Sequence, residues 1–175
     1  MAKEIHLWGD GSSVNDGEEK GLGGYGYTLL FGEFEGVDIK TEYGDRTKML
    51  VGWDGFENTT NQKEEIKAVI NGLKRIKPNA THYPIQVFSD SAYLVNCMND
   101  RWYDHWRTHN WNTKGKKPVE SPELWKELLQ IIEDNFLKIK FNKVKGHSKI
   151  FYNEQCDKLA KQGLEKMRAI RRGEE

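Results

Sequence analysis

The chain has 175 residues with 27 basic and 27 acidic side chains, so its formal net charge is zero; this neither requires nor excludes a polyanionic partner, because local charge matters more than the sum. The length suits one domain with a hydrophobic core, and the composition excludes disordered and fibrous classes. No apolar run approaches the roughly 20 residues that span a bilayer, so we expect no membrane partner. Cys97 and Cys156 lack the spacing of a disulfide or zinc site, and we expect a cytoplasmic protein.

Two strands open the predicted fold. Residues 4–10, EIHLWGD, read as a buried strand and Gly23–Phe31 as a second, joined by a polar, glycine-rich loop at Val14–Gly21. The stretch that follows, GVDIKTEYGDRTKMLVGWDGF, holds one long strand or two, and its length favours an extended hairpin. Acidic residues dominate from Glu33 to Glu65.

Helices and strands then alternate. From Thr60 the apolar residues recur at the i, i+3, i+4, i+7 spacing of a helix, and Pro78 follows its end. The later predicted elements are a strand at 84–90, a short helix at 91–98, a helix from Ser121 with Pro122 in its first turn, a strand at 137–146 and a helix from about Asn153. This order predicts an α/β fold, a single domain in which helices pack against a mixed sheet.

Two aspartates lie at the ends of predicted strands. Asp10 follows the strand residues Ile5–Trp8, and Asp90 ends the strand PIQVFSD. Either residue alone is more often a helix cap or a turn residue. Both should lie at the same edge of the sheet, where such folds bind their ligands, so together they are candidate metal ligands.

Helical geometry selects two further acids. The apolar stripe of the first helix lies about 75° from Glu65 and about 175° from Glu64, which predicts that Glu64 faces water and that Glu65 borders the core. By the same measure, Asp157 lies at the margin of the last helix's stripe, and Glu154 points away. Oxygen ligands suit Mg²⁺. A metal pair would relieve the repulsion among four clustered acids and promote phosphodiester hydrolysis.

Four motifs resemble the type 1 ribonucleases H. In chain order they are DGS, TNQxxE, SDS and KGHxxxxxNExCDxLA. They follow the family's order over nearly the whole chain, and the last motif is highly specific. The resemblance implies a ribonuclease H-like α/β fold, a five-stranded mixed sheet flanked by helices. It also implies an endonuclease that hydrolyses the RNA strand of RNA–DNA hybrids with little sequence preference, leaving 3′-hydroxyl and 5′-phosphate ends.

The resemblance also assigns residues to roles. The family's catalytic, metal-binding acids match Asp10, Glu65, Asp90 and Asp157. The histidine that assists turnover in the family matches His147, and two Mg²⁺ ions, or Mn²⁺ as a substitute, are expected with substrate. The substrate groove is assigned to Gly11, Ser12, Asn61 and Gln62, which are placed to read the 2′-hydroxyl that only RNA carries.

Residues 101–119 resemble the basic handle with which many cellular members grip the DNA strand. Asp104 is the single acid among the basic residues of 101–117. The candidates for phosphate contacts are Lys114, Lys116 and Lys117. Trp102 and Trp106 either stack on the substrate or pack the handle against the neighbouring helix, and both alternatives stay open.

We predict one catalytic domain at residues 1–170, a disordered tail at 171–175 and a monomer. The third strand is expected within KMLVGWDGFENTTNQ, which makes Gly36–Arg46 an insertion of unknown role. Three other interpretations remain: a reverse-transcriptase-type ribonuclease H domain, a catalytically silent hybrid-binding module, and a related nuclease that cleaves branched or double-stranded DNA.

Overall fold

The computed structural model describes residues 2–44 and 47–173. Five strands form one sheet in the order β3-β2-β1-β4-β5. The strands are β1 (Glu4–Ser13), β2 (Gly23–Gly32), β3 (Lys48–Phe56), β4 (Ile85–Ser89) and β5 (Ile139–Lys143). β1, β2 and β3 pair antiparallel, whereas β4 and β5 continue the sheet parallel to β1. The predicted five-stranded mixed sheet is confirmed.

Five helices in the described ranges flank the sheet: α1 (Asn61–Lys74), α2 (Ala92–Asn99), α3 (Trp102–Thr108), α4 (Pro122–Asp134) and α5 (Phe151–Arg171). Side-chain caps begin two of them, since the Thr60 hydroxyl accepts the Lys63 N–H and the Ser91 hydroxyl accepts the Leu94 N–H. Within the described residues, no helix combines the length and apolar character needed to cross a membrane.

The alternation of β1 divides the core between the two faces of the sheet. Ile5 and Leu7 join the larger cluster with α1, α2 and α4, whereas Trp8 lies in the cluster beside α5. Gly26 in β2 lets α5 approach closely, because a Cβ atom there would lie 2.4 Å from the Leu159 Cβ atom. α5 therefore lies against the strand that pairs with Asp10.

The structure corrects two predictions in the first half of the chain. β1 continues to Ser13, so Asp10 lies inside the strand opposite Gly26 rather than at its tip. The extended hairpin is wrong, because none of the residues 33–44 belongs to a strand. Phe34 and Tyr43 instead pack in the cluster beside α5. Of the predicted insertion, positions 45–46 lie outside the described residues.

Boundaries in the second half also differ. β5 covers only Ile139–Lys143, and α5 begins at Phe151, two residues before Asn153. The predicted tail, residues 171–175, overlaps α5 by one residue, because Arg171 is the last residue of the helix and a turn follows at 172–173. The Arg171 guanidinium donates to the Glu18 carbonyl at 2.7 Å, which holds this end of the helix. Residues 174–175 lie outside the described part.

Candidate active site

Three carboxyl groups from different elements meet in one cleft. Asp10 comes from β1, Glu65 from α1, and Asp90 directly follows β4. One carboxylate oxygen of each lies within 4.8 Å of the others. Asp10 is 5% and Glu65 9% exposed, so both carboxyls are largely removed from water. Convergent oxygen donors of this kind suit a hard divalent cation.

Gly11 allows α1 to lie beside β1. A Cβ atom at this position would lie 2.6 Å from the Glu65 backbone nitrogen, so any larger residue would displace the first turn of α1. The Gly11 N–H also donates to the Asp10 Oδ1 atom at 2.9 Å. The Ser13 hydroxyl donates to the Asn61 Oδ1 atom at 2.7 Å. These contacts hold Glu65 next to Asp10.

Burial and like-charge repulsion favour protonation of this cluster. Burial, and then the charge of Asp90, raises the pKa of Asp10 to about 7. Burial, and then the charges of Asp10 and Asp90, raises the pKa of Glu65 well above its ordinary value. The Glu65 Oε2 atom is buried without a hydrogen-bond partner. A cation bound by these oxygens would remove the repulsion and give Oε2 a partner, so the residues fit a divalent metal ion.

α5 contributes a second set of polar groups to the cleft. Asp157 lines it but is outside the three-carboxylate cluster, and its Oδ2 atom pairs with the Lys161 ammonium at 2.9 Å. The Asn153 amide donates to the Asp90 Oδ2 atom at 3.4 Å, while its own Oδ1 atom is buried without a partner. The sequence reasoning did not single out Asn153 or Lys161, although both lie one helical turn from Asp157.

The prediction that Glu64 faces water is wrong. Glu64 is 0% exposed, accepts the Thr59 hydroxyl at 2.6 Å and lies 2.9 Å from the Lys67 ammonium. Thr59 belongs to the loop before α1, and the Lys67 ammonium lies over the Phe56 ring at 3.6 Å from its centroid. An apolar stripe identifies the face toward the core, but it cannot indicate that a preceding loop covers another face.

The rim of the cleft holds the other predicted site residues near the acids: Gly11, Ser12, Asn61 and His147. His147 is exposed in the loop before α5 and has a φ of 54°. Glu154, which was predicted to point away from the core, is exposed and also lines this rim. Gln62, in the first turn of α1, has an Nε2 atom that is buried without a hydrogen-bond partner. In α2, the Tyr93 ring meets Trp102 edge-on at a centroid distance of 5.3 Å. Tyr93, which sequence reasoning missed, thus connects α2 to the handle.

The handle, residues 101–119, consists of α3 and a loop closed by a β-bridge between 112 and 118. Trp106 is 4% exposed and packs against Trp111 and Trp125 at centroid distances of 6.0 and 5.7 Å. This environment favours the packing alternative for Trp106. The loop carries three exposed lysines, Lys114, Lys116 and Lys117. The packed tryptophan rings therefore anchor the loop that carries these exposed lysines.

Comparisons with known sequences cover nearly the whole chain. The RNase H family model matches residues 2–165. A ribonuclease H of Clostridium botulinum is 36% identical over 163 residues, which cover 93% of this chain and 97% of that protein. A ribonuclease H of Caldicellulosiruptor saccharolyticus is 36% identical over 166 residues, covering 95% and 99% of the two chains.

Solved structures share the fold. LC9-RNase H1, a type 1 RNase H with the type 2 active-site motif, matches with a TM-score of 0.76 at 24% identity, over 95% of this chain and 74% of that one. LC11-RNase H1 in complex with an RNA/DNA hybrid matches with a TM-score of 0.64 at 17% identity, over 94% of this chain and 98% of that one.

Proposed function

The chain belongs to the ribonuclease H family, and we infer that it is an enzyme that hydrolyses the RNA strand of RNA–DNA hybrids. The main structural support for this function is that carboxylate oxygens of Asp10, Glu65 and Asp90 lie within 4.8 Å of one another in one cleft. We further propose that cleavage is endonucleolytic, leaves 3′-hydroxyl and 5′-phosphate ends and requires no particular base sequence, and that the enzyme acts as a monomer.

A labelled hybrid compared with all-DNA and all-RNA duplexes tests this function. With Mg²⁺ we expect cleavage of the RNA strand of the hybrid alone, and with EDTA we expect none. Binding of the hybrid without cleavage would instead indicate a silent binding module. Cleavage of the all-DNA duplex would indicate a nuclease that does not depend on the 2′-hydroxyl.

The cleft has the donors for divalent cations. Asp10, Glu65 and Asp90 would hold Mg²⁺, and Asp157 would contribute from α5; the unpartnered Oε2 atom of Glu65 supports this assignment. Hard carboxylate oxygens accept Mg²⁺ and also Mn²⁺. Two such ions, held by these carboxylates, would supply Lewis-acid activation of the attacking water and charge stabilisation at the leaving oxygen of an in-line displacement.

The chain's own polar groups bind and orient the hybrid. Asn61 and the backbone of Gly11 and Ser12 lie at the cleft, where they supply donors and acceptors for the 2′-hydroxyl of the RNA strand. Gln62 follows Asn61 at the start of α1, and Trp102 lies at the start of the handle beside Tyr93. There the lysines contact phosphates of the DNA strand, and such contacts position the duplex without reading bases.

His147→Ala is expected to lower kcat about tenfold while KM for the hybrid changes by less than about twofold. The exposed imidazole lies at the rim of the acidic cleft, where it can relay a proton between the reacting groups and solvent. Steady-state cleavage of a labelled hybrid measures both constants. Lys149→Ala, in the same loop, is the matched control, and an unchanged kcat in His147→Ala would remove this role.

Replacement of Lys116 and Lys117 by alanine is expected to raise KM and to reduce the slope of log KM against log salt concentration by about 2. Each lysine that contacts a phosphate releases a counterion, so the loss of both contacts weakens the salt dependence. The control replaces two exposed lysines elsewhere by alanine: Lys138, which directly precedes β5, and Lys140, which lies within it. Equal salt slopes in the two double variants would show that the handle does not hold phosphates.

A further inference from the structure

We propose that residues 33–44, here called the strap, position the first turn of α5 and thereby orient the groups that this helix contributes to the catalytic cleft. The strap contains the described part of the predicted insertion. The catalytic role of the cleft rests on the proposed function, whereas the contacts of the strap do not depend on it. Tyr43, Lys40 and Tyr152 are positioning residues in this proposal.

Buried aromatic contacts anchor the strap to β1. Phe34 and Tyr43 are buried in the cluster that includes Trp8. The His6 ring stacks on Phe34 at a centroid distance of 3.8 Å, and its Nδ1 atom lies 2.9 Å from the Tyr43 hydroxyl oxygen. His6 and Asp10 belong to the same strand, so the strap is fixed to the element that carries the central carboxylate.

Two hydrogen bonds connect the strap to the start of α5. The Tyr43 N–H donates to the Tyr152 hydroxyl oxygen at 3.0 Å, and the Phe151 N–H donates to the Lys40 carbonyl at 3.0 Å. The first N–H groups of a helix have no partner within the helix. Ile150, the N-cap residue of α5, provides no side-chain cap. The Lys40 carbonyl therefore acts as a cap supplied by a distant segment.

The turn held by the strap is the turn that faces the cleft. Tyr152 is followed directly by Asn153, whose amide donates to the Asp90 carboxylate, and one helical turn later comes Asp157. The loop that carries His147 leads into the same turn. Its Gly146 passes so close to Asp90 that a Cβ atom there would lie 3.0 Å from Oδ2. A small displacement of this turn would move several groups relative to Asp90, and an error of about 1 Å at a reacting centre can cost roughly a hundredfold in rate.

A local turn presents the Lys40 carbonyl. The Asp38 Oδ1 atom accepts the Lys40 N–H at 2.9 Å, and the Asp38 carbonyl accepts the Thr41 N–H at 3.3 Å. Asp38 is exposed, so Asp38→Ala should loosen this turn without disturbing the aromatic cluster. Glu35→Ala removes the same charge from another exposed position of the strap and is its matched control.

A second pair of variants removes one buried hydroxyl. Tyr152→Phe keeps the ring but leaves the Tyr43 N–H without its acceptor. Its control is Tyr27→Phe, because the buried Tyr27 hydroxyl accepts from the Arg75 guanidinium at 2.8 Å and its ring belongs to the other core cluster. Both replacements remove one tyrosine hydrogen bond, but only the first acts on the strap.

Two measurements test the proposal in the four variants. Amide hydrogen exchange of Phe151 and Tyr43, followed by NMR in the metal-free protein, reports the strap contacts directly. We expect exchange at Phe151 in Asp38→Ala and at Tyr43 in Tyr152→Phe to be at least about fivefold faster than in the wild type. In both variants kcat for hybrid cleavage should fall roughly three- to tenfold with KM within about twofold. Glu35→Ala and Tyr27→Phe should match the wild type in both measurements.

Faster exchange with an unchanged kcat would overturn the proposal, because the strap would then only cover the core. Unchanged exchange in both test variants would also overturn it, and so would a rise in KM with kcat preserved. A wild-type protein that fails to cleave hybrids would contradict the proposed function. The exchange experiment does not depend on cleavage, so the two failures are distinguishable.

Discussion

Asp10→Asn is expected to abolish hybrid cleavage, lowering kcat at least about a thousandfold. The amide keeps the size of the carboxyl group, but it removes the negative charge at the centre of the cluster with Glu65 and Asp90. Initial rates on a labelled hybrid with saturating Mg²⁺ measure the loss. Asp16→Asn, in the exposed loop between β1 and β2, is the control. Near-normal turnover of Asp10→Asn would refute the metal-site assignment.

The same variant should be more stable than the wild type when metal is absent. Burial and Asp90 raise the pKa of Asp10 to about 7, above the value of an unfolded aspartate, so the folded protein binds this proton more tightly than the unfolded chain. The corresponding stability is fully present below the unfolded pKa, near 4, and is lost as the pH rises through about 7. Asparagine avoids this loss.

At pH 8 in EDTA, we therefore expect Asp10→Asn to stabilise the fold by roughly 2–4 kcal/mol and to raise Tm by about 5–10 °C. The difference should shrink toward pH 4, where the aspartate of the wild type keeps its proton. Added Mg²⁺ should also reduce it, because a bound cation relieves the repulsion in the wild type. A Tm difference that is the same at pH 8 and pH 4 would contradict this explanation.

Glu65→Gln is expected to lower the cleavage rate at least about a hundredfold, because Glu65 supplies one of the three convergent carboxylates. Glu64→Gln is the neighbouring control, since Glu64 lies outside that cluster. It should retain cleavage within about threefold and destabilise the fold by about 1 kcal/mol, because glutamine keeps an acceptor for the Thr59 hydroxyl but loses the charge that pairs with Lys67. Rates on a labelled hybrid and thermal unfolding separate the two effects.

A reversed result, with Glu64→Gln inactive and Glu65→Gln active, would refute the assignment of Glu65 to the cluster. In the structure, the reason for choosing Glu65 over Glu64 differs from the reason given by the apolar stripe of α1. Glu65 joins Asp10 and Asp90 because Gly11 admits the first turn of α1 against β1. The other part of the sequence argument, that Glu64 faces water, was wrong.

Local patterns in the sequence predicted much of the fold. The apolar period from Thr60 gave the position of α1, and its capping threonine begins the helix as observed. Pro122 starts α4 as its fixed φ favours. Asp10 and Asp90 were placed at one edge of the sheet from the strands that carry them, and they meet in the cleft. These features depend on short-range spacing and on backbone preferences, so one sequence is sufficient to indicate them.

Contacts between distant segments were decided only by the tertiary structure. Glu64 is buried because the loop before α1 covers it, and residues 33–44 form no hairpin because Phe34 and Tyr43 pack beside α5. Asp157 pairs with Lys161 rather than joining the three other acids. Periodicity shows which face of an element is apolar, but what covers the remaining faces depends on how the whole chain packs. The sequence by itself therefore determined most of the helices and strands and the four acids that line the cleft. Packing between remote segments determined the surroundings of each one.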